Sequence, residues 1–222
     1  VSEGFNTAIF EGNSTTQSIS GLGFSPGLVW VKDRDNGNSH AWSDVVRGRG
    51  RNLISNATNA EVSAAAATDK DLISFDADGF SVGQFEDGTY NNNGSSMVAW
   101  CWEAGGTPTA DNSAGAGATP TSGSVKIDGS NLGSALAGSI AATRISANTA
   151  RGFSIVTFEG TSTAGSVAHG LSSAPKWVIA KNRDSSTEWP VYHDSVNSGG
   201  GSYLRLDSTA ANTSSSIIWT DS

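Results

Sequence analysis

His193, Asp194 and Ser195 stand side by side as "HDS", the three residue types of an acyl-transfer triad. That chemistry needs a nucleophile, a base and an orienting carboxylate brought together across a fold. Neighbours on a strand point to opposite faces, so adjacency argues against a triad. The residues aligned with them earlier in the chain, Ser43, Asp44 and Val45, repeat neither the histidine nor the serine. Hairpin or surface positions are the expectation for all three.

Cation chemistry is suggested by "DRDNGN" at Asp33–Asn38 and "DADG" at Asp76–Gly79. A helix-loop-helix calcium loop starting at Asp33 would put Gly37 at a ligand position and Asp44 where a bidentate glutamate is required. Aspartates that accept bonds from their own turn backbone explain both stretches. A calcium held between separated loops stays open. Neither spacing nor motif marks a catalytic, cofactor-binding or metal-binding residue, so the sequence reads as a non-enzyme without cofactor.

"RGRGR" at Arg47–Arg51 is the basic cluster of an acidic chain. Arg47, Arg49 and Arg51 have the forks that hold carboxylates, on an acidic glycan or on a neighbouring subunit. The later counterpart is "NSGGGS", so the fold does not require the charge, which favours a specific contact. Trp42, Trp102, Trp189 and Tyr192 lie nearest hairpins or module ends, where exposed rings would form a platform for sugar. Four N-x-[ST] sequons, at Asn13, Asn56, Asn93 and Asn212, are expected by chance in a chain this rich in Asn, Ser and Thr.

What must position these residues is a repeated element. "FEGNST" at Phe10–Thr15 returns as "FEGTST" at Phe158–Thr163. Gly21-Leu22 answers Gly170-Leu171, Pro26 answers Pro175, and "KDRD" at Lys32–Asp35 answers "KNRD" at Lys181–Asp184. Asp44 and Val46 align with Asp194 and Val196, and "LISNATNA" at Leu53–Ala60 with "LRLDSTAA" at Leu204–Ala211. The chain is a tandem duplication.

The expected organisation is a module over residues 1–106, a Gly/Ser/Thr/Ala-rich linker over 107–151 with short strands at "SVKIDG" and "TRIS", and a partial second copy over 152–222. With 27 glycines and only 15% charged residues, the composition is that of short strands joined by turns. "GLVWVKDR" and "MVAWCWEAGG" are apolar on both faces, as strands covered on both sides are. Leu28 and Trp30 align with Trp177 and Ile179, which places Trp30 and Trp177 together on an inner, packed face. "AEVSAAAATDKDL" at Ala60–Leu72 is alanine-rich, but its counterpart at Ala211 has no helix propensity, so a loop with at most one helical turn is expected.

A net charge of −8 argues against a nucleic-acid partner held through phosphates. No apolar run reaches the roughly 20 residues of a membrane span, so no membrane partner is expected. Cys101 is the lone cysteine and permits no intrachain disulfide.

The runs "GLGFSPGLVWVKDRDNGNSHAWSDVVRG", "LISFDADGFSVG" and "SMVAWCWEAGG" resemble a repeated module found in virion and tail-fibre-like proteins of marine and freshwater phages. "GFSIVTFEGTSTAGSVAHGLSSAPKWVIAKNRD" is similar to the opening of the next copy in such proteins. The chain departs from them in its "RGRGR" loop and its short second copy. The resemblance implies a phage structural protein of β-sandwich modules and names no catalytic residue.

The fold expected is all-β: tandem antiparallel β-sandwiches of jelly-roll or lectin-like type, the second incomplete. The function expected is that of an oligomeric virion protein on the particle exterior, in contact with other virion proteins and with a host surface glycan as a further partner. The alternatives are a carbohydrate-binding adhesion module and a subunit of an extracellular bacterial filament. Copy two lacks the counterpart of "MVAWCWEAGG", so it is not expected to fold alone: the chain continues past Ser222, or a neighbouring subunit donates the missing strands. The absent initiator Met favours continuation.

Overall fold

The structure, a computed structural model, describes residues 4–63, 70–83, 89–197 and 201–215. It is all-β, as expected, and built of antiparallel sandwich modules. Nine strands form the first: β1 (Phe5–Glu11), β2 (Gln17–Ser20), β3 (Pro26–Asp33), β4 (Ala41–Asp44), β5 (Arg51–Ile54), β6 (Val62–Ser63), β7 (Leu72–Asp76), β8 (Gly79–Val82) and β9 (Ser96–Glu103). A six-stranded sheet in the order β1-β9-β3-β4-β5-β6 faces a three-stranded sheet, β2-β8-β7.

The two-residue period of a strand decides what lies between the sheets. Val29, Val31, Ala41, Met97, Ala99 and Cys101 project from the large sheet onto Ile19, Leu72, Phe80 and Val82 of the small one. Burial raises the Cys101 thiol pKa to about 12, so it stays a packed, uncharged side chain. A polar knot closes one end of this core: Ser43 and Tyr90 each donate to Asn52 Oδ1, and Asn52 Nδ2 donates to Asp71 at 2.6 Å. All four side chains are buried, and each bond compensates the desolvation of its partners.

The alternate residues of the same strands corrects one expectation. Trp30 is not on the inner face. It pairs across the ladder with Trp42 and Trp100 on the outer face of the large sheet, with ring centroids 5.4 and 5.5 Å away. These strands are apolar on both sides because the remaining chain covers their outer side as well.

Residues 107–151 are more than a flexible linker. Asn112 orders the first part: its side chain accepts from the amides of Ala114 and Thr121, both at 3.0 Å, and donates to the Ala142 carbonyl. Then β10 (Val125–Ile127), β11 (Ser130–Asn131) and β12 (Ala142–Asn148) join β13 (Phe153–Phe158) in a four-stranded sheet, β11-β10-β12-β13. "SVKIDG" and "TRIS" do supply strands. A second small core, of Val125, Leu136, Ala142, Ile145 and Ala147, packs against Val156, Val167 and Leu171 of the repeat.

The second copy continues with β14 (Trp177–Ile179), β15 (Pro190–His193), a single helical turn α1 (Asp194–Asn197), β16 (Ser202–Arg205) and β17 (Thr213–Ser214). The order β14-β15-β16-β17 reproduces β3-β4-β5-β6. The ladder revises the sequence alignment by one residue at β15. Trp177 pairs with His193 as Leu28 pairs with Asp44, so His193, and not Asp194, is the counterpart of Asp44. β6 and β17 also correct the expectation of a loop or helical turn after Ala60 and Ala211, since each is a two-residue strand. Residues 64–69 of that segment lie outside the described residues.

Trp177 shares its face with the position of Leu28, but the two environments differ. Leu28 is 1% exposed and Trp177 is 52% exposed. The expectation that Trp177 is a packed inner-face residue is therefore overturned. In the first module Leu28 lies opposite Trp102 of β9. Among the described residues, no strand of the second copy takes that place.

Candidate functional site: the joint between the repeats

Four of the residues singled out for binding, Arg47, Arg51, Trp42 and Trp189, meet at one place, the contact between the loop Ala57–Glu61 of the first module and the turn preceding β15. Arg47 is almost wholly buried, with 3% of its side chain exposed. Its Nε donates to Asp44 at 2.6 Å, Nη2 to the Trp42 carbonyl at 2.9 Å, and Nη1 to Glu61 at 3.1 Å. Arg51 reaches the same Glu61 carboxylate at 3.5 Å from a side chain 47% exposed. Arg49 is exposed on the loop. The carboxylates that Arg47 and Arg51 meet are thus the chain's own.

The second repeat supplies the rest of the grip. Arg183 is bidentate to Glu61, with Nε at 2.9 Å and Nη2 at 2.8 Å, and the Glu61 amide donates to the Arg183 carbonyl at 2.7 Å. Burial would push the Glu61 carboxyl pKa up. The bond from Arg183 and the charge and bond of Arg47 outweigh it, so the pKa lies below the ordinary carboxylate value. Arg183 is correspondingly raised, chiefly by its bond to Glu61.

Trp189 is 2% exposed. Its indole N–H donates to the Ala57 carbonyl at 3.0 Å, and its ring lies 5.7 Å from that of Trp42, extending the row Trp100-Trp30-Trp42 across the joint. Nearby, Trp102 is packed between Phe5 (4.8 Å) and Phe153 of β13 (6.0 Å). Tyr192 is half-buried. A sugar platform needs a free aromatic face, and Trp42, Trp102 and Trp189 spend theirs on one another and on phenylalanines.

The "DRDNGN" turn has a cation of its own. Lys32 Nζ donates to the carbonyls of Asp33, Asn36 (2.8 Å) and Asn38 (3.1 Å). The Asp33 carboxylate accepts from the amides of Asp35 and Asn36 and from the side chains of Asn36 and Asn38. Those bonds outweigh its burial and hold its pKa down. Lys181 repeats the device, donating to the carbonyls of Asn182, Ser185 and Thr187, and adds the Thr58 carbonyl of the first module at 3.1 Å. No group of three or more His, Cys, Asp or Glu side chains gathers to hold a metal among the described residues. Replacing Lys32 with Met should cost about 1–3 kcal/mol, because turn carbonyls lose a charged donor. Urea unfolding of the variant measures it; an unchanged midpoint would show that the ammonium is a passenger.

At "HDS", His193 Nδ1 accepts from the Ser195 backbone amide at 3.2 Å, and all three residues are exposed. That geometry is a capped turn, with the imidazole nitrogen turned to an amide.

Glu61, Arg183 and Lys181 were not singled out in the sequence. The retention of lysine in both "KDRD" and "KNRD" was the available signal for the lysines. Arg183 is retained in the same motif, as Arg34 in "KDRD", but Glu61 gave no signal, because a pair so distant in the chain is joined only by the fold.

The all-β fold and the strand order repeated in β14-β15-β16-β17 define a repeated β module, its two copies joined by buried rings and a shared carboxylate. The chain is a member of a family described as a domain of unknown function (DUF7483), whose model matches residues 1–128 and again 125–222. No curated protein and no solved structure matches it.

Proposed function

We propose that this chain is a structural protein of a phage particle, carried on the exterior as part of a tail fibre, a decoration or a capsid fibre. The observation that supports this most is the joint. Repeats coupled through Trp189, Trp42, Glu61 and Arg183 transmit orientation from one copy to the next, as a projecting element requires. Repetition also multiplies weak contacts into avidity. The likeness of "GLGFSPGLVWVKDRDNGNSHAWSDVVRG" to modules of virion proteins supplies the phage. On this reading the partners are further copies of the chain and other virion proteins, with a host surface glycan as the target of the assembled particle.

Peptide mass spectrometry of density-purified particles tests it. The chain should co-purify with capsid proteins at a fixed ratio. Recovery only from filaments sheared off bacterial cells would replace the phage reading with the filament one.

A further inference from the structure

We propose that the first module closes an internal ester: Ser43 Oγ attacks Asn52 Cγ, ammonia leaves, and β4 becomes covalently joined to β5. The inference rests on the buried polar knot of the first module and is independent of the virion reading.

The strand ladder sets the two side chains opposite each other. Ala41 pairs with Ile54 and Trp42 with Leu53, so the next pair is Ser43 with Asn52. Ser55 N donates to His40 O at 3.0 Å, which makes His40 with Ser55 a hydrogen-bonded pair. Bonded and non-bonded pairs alternate along an antiparallel ladder, so Ser43 with Asn52 is non-bonded. The other side of β4 agrees: Val45 N donates to Gly27 O, which turns the backbone groups of Ser43 toward β3. Opposed side chains come closest at a non-bonded pair, where Cα atoms stand about 4.5 Å apart. A Cβ–Oγ–Cγ–Cβ link has as many atoms as a disulfide bridge, which spans Cα separations from about 4.4 Å upward.

The groups that the reaction needs surround this pair. Ser43 Oγ lies 2.8 Å from Asn52 Oδ1 and 2.7 Å from the Tyr90 hydroxyl, which itself donates to Oδ1 at 2.7 Å. Tyr90 can therefore take the serine proton as it passes its own to Oδ1, where negative charge grows during the attack. Asp71 Oδ2 is 2.6 Å from Nδ2, the atom that departs. The Oγ–Cγ bond forms and the Cγ–Nδ2 bond breaks. One proton, carried from Oγ through Tyr90 onto Oδ1, reaches the nitrogen by way of the Asp71 carboxyl, and ammonia is released. Tyr90 and Asp71 end as they began, and no oxidant, reductant or water is consumed.

A carboxamide is a weak electrophile in water. Fixed opposition offsets this, since well-oriented intramolecular reactions reach effective molarities of ~10⁵–10⁸ M. All four side chains are buried, so the same packing keeps water from the ester once it has formed. The second copy shows that the strand pair does not require these residues. β15 and β16 pair in the same register, and Tyr192 and Tyr203 stand where the first copy has Ser43 and Asn52. The link closes the base of the loop that brings Arg47 and Arg51 to Glu61.

Mass spectrometry of the whole chain, kept folded for several days, tests the proposal. The intact mass should fall short of the sequence by one ammonia. Trypsin cuts after Arg47, Arg49 and Arg51, all of which lie between the two residues. After unfolding and digestion, the peptides that begin at Asp35 and Asn52 should nevertheless remain joined. Hydroxylamine should separate them and leave a hydroxamate at position 52. Ser43→Ala should abolish the joined species, and Tyr90→Phe should slow its formation about 10²-fold. An intact mass equal to that of the sequence would overturn the proposal. So would a loss of ammonia without joined peptides, which marks a succinimide, or joined peptides that persist in Ser43→Ala.

Discussion

Glu61→Ala should weaken the joint by about 2–3 kcal/mol, at or below the ~3–5 kcal/mol typical of breaking a buried ion pair. The reduction follows from what remains: Arg47 keeps Asp44, and Arg183 is 40% exposed and regains water. The loss should appear as earlier melting of residues 152–215 while the first sandwich core melts as before. Its pH dependence has a defined sign. The folded pKa of Glu61 is depressed, so its stabilisation is fully present above the unfolded value of about 4.3 and is lost as pH falls through the folded value. Wild type should therefore lose stability of the second copy in the acid range below about pH 4, and Glu61→Gln should flatten that dependence. Calorimetry from pH 3 to 7 checks both; parallel profiles for wild type and Glu61→Gln would remove Glu61 from the joint.

The two tryptophans of the second copy should separate sharply. Trp189→Ala removes a ring 2% exposed, tilted against Trp42 and bonded to Ala57, and should cost about 3–5 kcal/mol. Trp177→Ala removes a ring 52% exposed and should stay within about 0.5 kcal/mol. Denaturant unfolding of both variants is the measurement. Equal costs would mean that Trp177 is packed after all and that its edge is closed.

Much of this architecture was legible from periodicity and repetition. "GLVWVKDR" and "MVAWCWEAGG" read as strands covered on both sides, and both are central strands with packed faces. Which face meets the second sheet was not legible. Val29 and Trp30 are both apolar, and period two assigns them to opposite faces without saying which is inner. The tryptophans lie on the outer face, where Trp42 meets Trp189 and Trp102 meets Phe153 of the second copy, contacts that a single-module reading cannot anticipate. Residues 107–151 misled by composition: Gly, Ser and Thr suggest flexibility, yet Asn112 and β12 hold the segment through bonds to distant backbone. The arginine cluster was expected to hold carboxylates of a glycan or a neighbouring subunit; Arg47 and Arg51 meet Glu61 of their own chain, which Arg183 shares, and only the fold brings these residues together. The one-residue slip at β15 arose from matching Asp44 to Asp194 by type, where backbone pairing matches Asp44 to His193.

The lysine-filled turns have a consequence for the medium in which such a protein works. A loop ordered by a dissolved divalent ion follows the activity of that ion, and loosens wherever it is dilute or sequestered. Lys32 and Lys181 provide their charge covalently, one per turn, already at the carbonyls of Asn36, Asn38, Ser185 and Thr187. The share of hairpin order that these two ammonium groups supply therefore does not vary with the concentration of a dissolved ion.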